Sequence, residues 1–150
     1  MKTALITGAS QGIGAAIADK LNDKKIKVIL VSRSKSKLKS FQKNLKFPKN
    51  SLIISKDLRS LSACNSIAKK IKKLDYLINV AGATKGGKFL NLNDNIWEDG
   101  FNLKFKAAVR LSRAFWPALK RSKGKVINIG GGAARNLSLI HISEPTRQAE

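Results

Sequence analysis

At 150 residues the chain is long enough for one domain with a real core, and its 30 Lys and Arg against 9 Asp and Glu give a formal net charge of +21. A lone cysteine, Cys64, excludes an internal disulfide framework and points to a reduced, cytoplasmic setting. The cations are scattered (Lys24, Lys35, Lys39, Lys69, Lys73, Lys120, Arg121 and others) rather than gathered on one face with stacking aromatics. Generic affinity for polyanions is therefore expected, and a specific nucleic-acid partner is not.

The first fourteen residues, MKTALITGASQGIG, organise the rest. Residues 4–6 form an apolar run of the kind a strand buried on both faces shows. Thr7 and Gly8 break it too soon for a signal peptide or a membrane span, so neither is expected. A glycine turn through Gly8, Ser10, Gln11, Gly12, Ile13 and Gly14 follows, and Ile13, Ile17 and Leu21 then recur at helical spacing. Strand, glycine turn and helix together aim backbone N–H groups and a positive helix end at a phosphate. In that reading Gly8 turns the chain, Gly12 lets it approach a diphosphate, and Gly14 lets helix pack on strand.

A polar turn leads to a second strand at residues 26–31, which ends in Ser32, Arg33, Ser34 and Lys35 with no carboxylate. An Asp or Glu there would accept from the ribose 2′-hydroxyl of NAD, whereas a guanidinium suits a 2′-phosphate. A helix at 35–45, a strand at 51–55, a helix at 60–73 and a strand at 74–80 come next. Cys64 falls in the second of those helices with Ile67 and Ile71, which reads as a packing thiol. Asp57, just after the third strand, suits a helix cap as well as a ligand contact. The longest helical stretch, 93–121, carries Phe101, Phe105, Ala108, Phe115 and Leu119 as its apolar stripe, and a fifth strand follows at 126–129. Trp97 and Trp116 read as core or interface. Strands alternating with helices imply a Rossmann-like, doubly wound parallel sheet in three α/β/α layers, order 3-2-1-4-5, with the ligand at the switch between strands one and four.

Thr7, Gly8, Gly12 and Gly14 match the TGxxxGxG turn of the short-chain dehydrogenase/reductase family, which the chain resembles from residue 1 to about 136. The resemblance implies an oxidoreductase that moves a hydride reversibly between a nicotinamide cofactor and a small carbonyl compound or secondary alcohol. Arg33 goes with NADP(H) over NAD(H) in that family, and Asp57 with Leu58 resembles its adenine contact. Asn79, Ala81 and Gly82 match its NNAG segment beside the nicotinamide ribose. Val80 replaces the second Asn, which puts the sheet-bracing bond ascribed to that residue in doubt, and residues 84–87 would lie over the active-site side. Asn102 matches the helix Asn of the family's catalytic tetrad. Gly131 occupies the position of the catalytic Ser, and the chain has no Tyr after Tyr76 and no Lys after Lys125, so the Tyr-x-x-x-Lys pair is absent. No metal site is expected. The family also implies a homo-dimer or homo-tetramer, built with a further long helix.

Residues 137–147, LSLIHISEPTR, fit no helix expected after a fifth strand and resemble the translation of a transposase sequencing-library adapter. Residues 1–136 are therefore expected to be an incomplete dinucleotide-binding domain, and 137–150 a non-native tail. Its His141 is given no role. Two alternatives stay open beside the reductase. One is a dinucleotide-binding module without catalysis, and the other a degenerate family member using an altered proton-transfer site.

Overall fold

The computed structural model describes residues 1–82 and 87–130. In chain order it contains β1 (Thr3–Thr7), α1 (Gly12–Asp23), β2 (Lys27–Ser32), α2 (Lys35–Lys43), β3 (Ser51–Ser55) and α3 (Leu61–Lys70). It continues through β4 (Tyr76–Asn79), α4 (Asp94–Phe101), a π-helical turn (Asn102–Lys106), α5 (Ala107–Ser122) and β5 (Lys125–Asn128). The five strands pair parallel in the order β3-β2-β1-β4-β5, as the alternating pattern implies.

All five residues of β1 are buried, because this central strand is covered on both faces. Its side chains alternate between two cores. Ala4 and Ile6 join Val28, Leu30, Ala18 and Leu38 beneath α1 and α2. Leu5 joins Ile29, Val31, Leu77, Cys64, Ile67 and Phe115 beneath α3 and α5. The sheet thus lies between two helical layers. Cys64 is fully buried, with its thiol 3.5 Å from the Leu58 carbonyl, and burial pushes the thiol's pKa up. It is a packing residue, as its helical setting suggested.

Two apolar stripes run differently from the sequence reading. In α1 the buried positions are Gly14, Ala18 and Asn22, with Ile17 and Leu21 packed at the core's margin. Ile13 is 61% exposed, because it sits in the first turn, above the carboxyl ends of the strands, where it lines an open groove. Asn22 is buried because its amide donates to the Phe47 carbonyl (3.0 Å) and accepts from the Phe47 N–H (2.8 Å). On the long helix the core face is Leu103, Ala107, Leu111, Phe115, Ala118 and Leu119. Phe101 and Phe105 are 52% and 62% exposed instead, as is Trp116 at 61%. The Ala107 N–H bonds the Asn102 carbonyl five residues back, and this wider turn offsets the buried face from a constant 3.6-residue count.

Capping is correspondingly local. Ser34, Ser60 and Asn93 each accept from a first-turn N–H of α2, α3 and α4. The cap of α3 is therefore Ser60 and not Asp57, whose carboxylate accepts from the Arg59 N–H at 3.1 Å. That helix stops at Lys70, short of the expected residue 73.

Phe115 is the largest of the fully buried side chains. Replacing it in Phe115→Ala should cost about 3–5 kcal/mol in urea unfolding, the usual result of emptying a large aromatic site. An unchanged unfolding midpoint would contradict the placement of α5 on the sheet.

Candidate functional site

A groove of about 680 Å³ opens where the carboxyl ends of β1, β2 and β4 meet the start of α1. The strands stay parallel, but the chain winds outward in opposite directions from β1 and from β4, which leaves a crevice above the strand ends. Gly8, Ser10, Gln11, Gly12, Ile13 and Gly14 form one wall. Gly8 and Gly12 have φ of 67° and 58°, a left-handed conformation that glycine adopts at little cost. A Cβ on Gly8 would lie 3.1 Å from the Ala81 backbone, so the turn and the end of β4 touch directly. A Cβ on Gly14 would lie 2.8 Å from the Gly8 carbonyl carbon and collide with its oxygen. A Cβ on Gly12 would meet nothing within 4 Å, because that position faces the open groove.

The start of α1 is electrostatically unfilled. Gln11 supplies no side-chain cap, and no acidic residue stands in the first turn. Its N-terminal N–H groups and the positive end of its dipole therefore meet the groove without an internal anion.

Thr7 takes a role behind the wall rather than in it. Only 2% exposed, its hydroxyl oxygen accepts from the Val80 N–H at 2.9 Å and the Ala81 N–H at 3.0 Å. That pair of bonds clamps the end of β1 to the chain leaving β4. Ala81 and Gly82 line the far end of the groove, and Lys104 lies over Gly82, where a Cβ would meet its Cδ at 2.8 Å. Asn79 stands below, donating to Asn128 across β4 and β5 at 2.9 Å, with its own Oδ1 buried and unpartnered. This bond ties the two strands although Val80 replaces an Asn beside it. Asn79 and Lys104 line a neighbouring cavity of about 530 Å³ that shares Ala81 with the groove.

Ser32, Arg33 and Leu58 line the other end. Ser34, Lys37, Lys56, Val80 and Leu103 line the groove as well, and sequence reasoning missed them. For Lys56 a signal existed: once β2 and β3 pair in register, the residue after Ser55 must stand beside the residue after Ser32. Asp57 is outside the lining, with its carboxylate 3.3 Å from Arg59, which also binds Asp99 of α4. Asn102 sits at the π turn with its amide directed along the helix to Glu98 at 3.3 Å, and it lines neither cavity. Gly131, most of the 84–87 loop and the 137–150 tail lie outside the described residues. Among the described residues no His, Cys, Asp and Glu cluster could hold a metal ion, and no helix is long and apolar enough to cross a membrane.

Over residues 2–142 the chain matches the family described as short chain dehydrogenase. The 3-oxoacyl-(acyl-carrier-protein) reductase FabG of Rickettsia typhi is 36% identical over 129 residues, covering 85% of this chain and 53% of the relative. An uncharacterized oxidoreductase of Staphylococcus epidermidis is 30% identical over 133 residues, covering 85% and 57%. Among solved structures, an actinorhodin polyketide ketoreductase with NADPH aligns at a TM-score of 0.85 and 25% identity, covering 92% of this chain and 56% of that one. A metagenomic short-chain oxidoreductase in complex with NADP aligns at 0.81 and 32%, covering 87% and 62%. The chain spans about half the length of the curated relatives it matches.

Two outcomes follow from the geometry. Thr7→Val leaves two backbone N–H groups without their acceptor, at an expected cost of about 1–3 kcal/mol. Hydrogen exchange should quicken at Val80 and Ala81 first, and unchanged exchange there would contradict the clamp. The second concerns Glu98, whose carboxyl is held below the usual glutamate range by the Lys106 ammonium, with help from Asn102. A carboxyl lowered on folding stabilises the fold above its unfolded value, and that contribution fades as pH falls through its folded value. In an NMR titration its midpoint should lie below that of an ordinary Glu and return towards it in Lys106→Ala.

Proposed function

This chain belongs to the short-chain dehydrogenase family, and on that premise we propose that its groove binds a nicotinamide dinucleotide, NADP(H) in preference to NAD(H). The observation that carries the reading is the uncapped, acid-free start of α1, opening through Gly12 into the groove at the β1/β4 switch. A helix end of this kind is a ready anion site, and the space above Gly12 lets a diphosphate approach the backbone. Gly8, Ser10, Gln11, Ile13 and Gly14 would hold the diphosphate, and Ser32, Arg33 and Leu58 the adenosine half; Asp57, outside the lining, would have to leave Arg59 to reach the adenine. Asn79, Ala81 and Gly82 would flank the nicotinamide half. The orphaned hydroxyl of Ser32, buried at the adenosine end, fits a ligand with acceptor oxygens. Arg33 in place of a carboxylate favours the phosphorylated ribose. The actinorhodin ketoreductase was crystallised with NADPH and the metagenomic oxidoreductase with NADP, in keeping with this choice.

When bound, the cofactor supplies the hydride, and the protein orients it against a small carbonyl compound or secondary alcohol. The whole protein would then be a reductase acting as a homo-dimer or homo-tetramer. Asn102 enters as the candidate for the proton relay by its match to the family's helix Asn; its neighbours Leu103 and Lys104 line the groove and the adjoining cavity, and its amide would have to leave Glu98 to serve. A second reading applies to the 150 residues themselves, as a dinucleotide-binding module without turnover. The chain's one tyrosine, Tyr76, begins β4 at the opposite end of the strand from the groove, and its hydroxyl accepts from the Lys2 ammonium at 2.9 Å.

Titration of the chain with NADPH, followed by the cofactor's fluorescence, tests the reading. NADPH should bind more tightly than NADH. Gly12→Asp places a carboxylate at the anion site in a left-handed conformation and should weaken both by roughly tenfold or more. Equal binding by Gly12→Asp and the parent chain would overturn the site.

A further inference from the structure

Resting on the cofactor reading, we propose that Lys56 and Lys37 complete, with Arg33, a cradle for a phosphomonoester on the adenosine ribose, so that specificity is shared among three elements. The in-register pairing of Ser32 with Ser55 sets Arg33 and Lys56 side by side at the sheet edge. Their backbones are locked together there: the Lys56 N–H donates to the Ser32 carbonyl at 3.1 Å, and the Ser55 hydroxyl to the Arg33 carbonyl at 2.7 Å. Lys37 comes from the first turn of α2, where its N–H is held by the Ser34 cap, and its ammonium reaches across to the Gln11 amide oxygen at 3.0 Å. All three cations line the groove, and among the described residues none takes part in an ion pair.

Cations crowded at one groove end without a carboxylate repel one another unless an anion joins them. The same groove is lined by a further polar group, the buried Ser32 hydroxyl, which has no partner among the described residues. A phosphomonoester carries close to two negative charges and several acceptor oxygens at neutral pH, which matches cations and a hydroxyl donor. Lys37 would exchange a neutral amide for that anion, and Lys56 would approach it from the β3 side. Arg33 alone would discriminate less, because a single exposed guanidinium is well screened by solvent.

The test uses adenosine 2′,5′-bisphosphate and adenosine 5′-monophosphate as probes, titrated calorimetrically at one fixed salt concentration. The parent chain should prefer the bisphosphate by roughly tenfold or more, the scale of one or two charge-assisted bonds. Lys56→Gln and Lys37→Gln should each lower that preference several-fold while leaving the monophosphate unchanged. Both side chains are exposed, so neither substitution should disturb the fold. Lys125→Gln, at the opposite edge of the sheet, controls for bulk charge and should leave the preference intact. Loss of affinity for both probes alike in Lys56→Gln, or an unchanged preference, would overturn the cradle and leave the cofactor reading standing. Failure of the parent chain to bind either probe would overturn the cofactor reading and the cradle with it.

Discussion

The approach of Gly14 to Gly8 is the constraint on which the groove depends. No side chain fits between them, since even a Cβ at Gly14 would strike the Gly8 carbonyl. The first turn of α1 can therefore sit directly on the turn that leaves β1, and its N-terminus is aimed across the strand ends rather than away from them. Gly8 makes the matching contact on its other side, against the backbone of Ala81. The glycine turn, the helix it feeds and the distant end of β4 thus meet through glycine and backbone alone. Thr7 then fixes the arrangement by accepting from the two N–H groups of Val80 and Ala81.

The consequence is a groove with chemically distinct ends. Its centre has the N–H groups of an uncapped helix. One end, beyond β2 and β3, is cationic and holds an orphaned hydroxyl. The other, at Ala81 and Gly82, is lined by small residues, with the Lys104 side chain lying over Gly82. An extended ligand with a diphosphate centre and a phosphorylated ribose at one end complements this polarity. The net charge of +21 enters only as background, raising affinity for any anion without choosing among them.

Much of this was legible in the sequence because the informative residues are local. The apolar run before Gly8, the spacing of the glycines and the alternation of strands and helices lead to the sheet order without any knowledge of contacts. Arg33 was readable because a strand end followed by no carboxylate is a short-range pattern. What stayed hidden depends on pairing between distant segments. Lys56 joins the groove only through the register of β2 with β3, and Lys37 only because its first helical turn faces Gln11. The apolar stripe of the long helix was misplaced because the π turn at Asn102–Lys106 shifts its phase, which no constant period reveals. Trp116, read as core or interface, lies on that outward side. Asn102 was found by resemblance, yet its amide is engaged along the helix by Glu98, an arrangement visible only in three dimensions.

The most direct measurement is an amide NMR titration of the chain with NADPH. If the helix end holds the diphosphate, the largest shifts fall on the N–H signals of Gly12, Ile13 and Gly14, with a second group at Arg33 and Lys56. Shifts centred instead on Lys72, Lys73 and Lys125, at the amino ends of β4 and β5 and away from the groove, would show that charge alone attracts the nucleotide and would contradict the site.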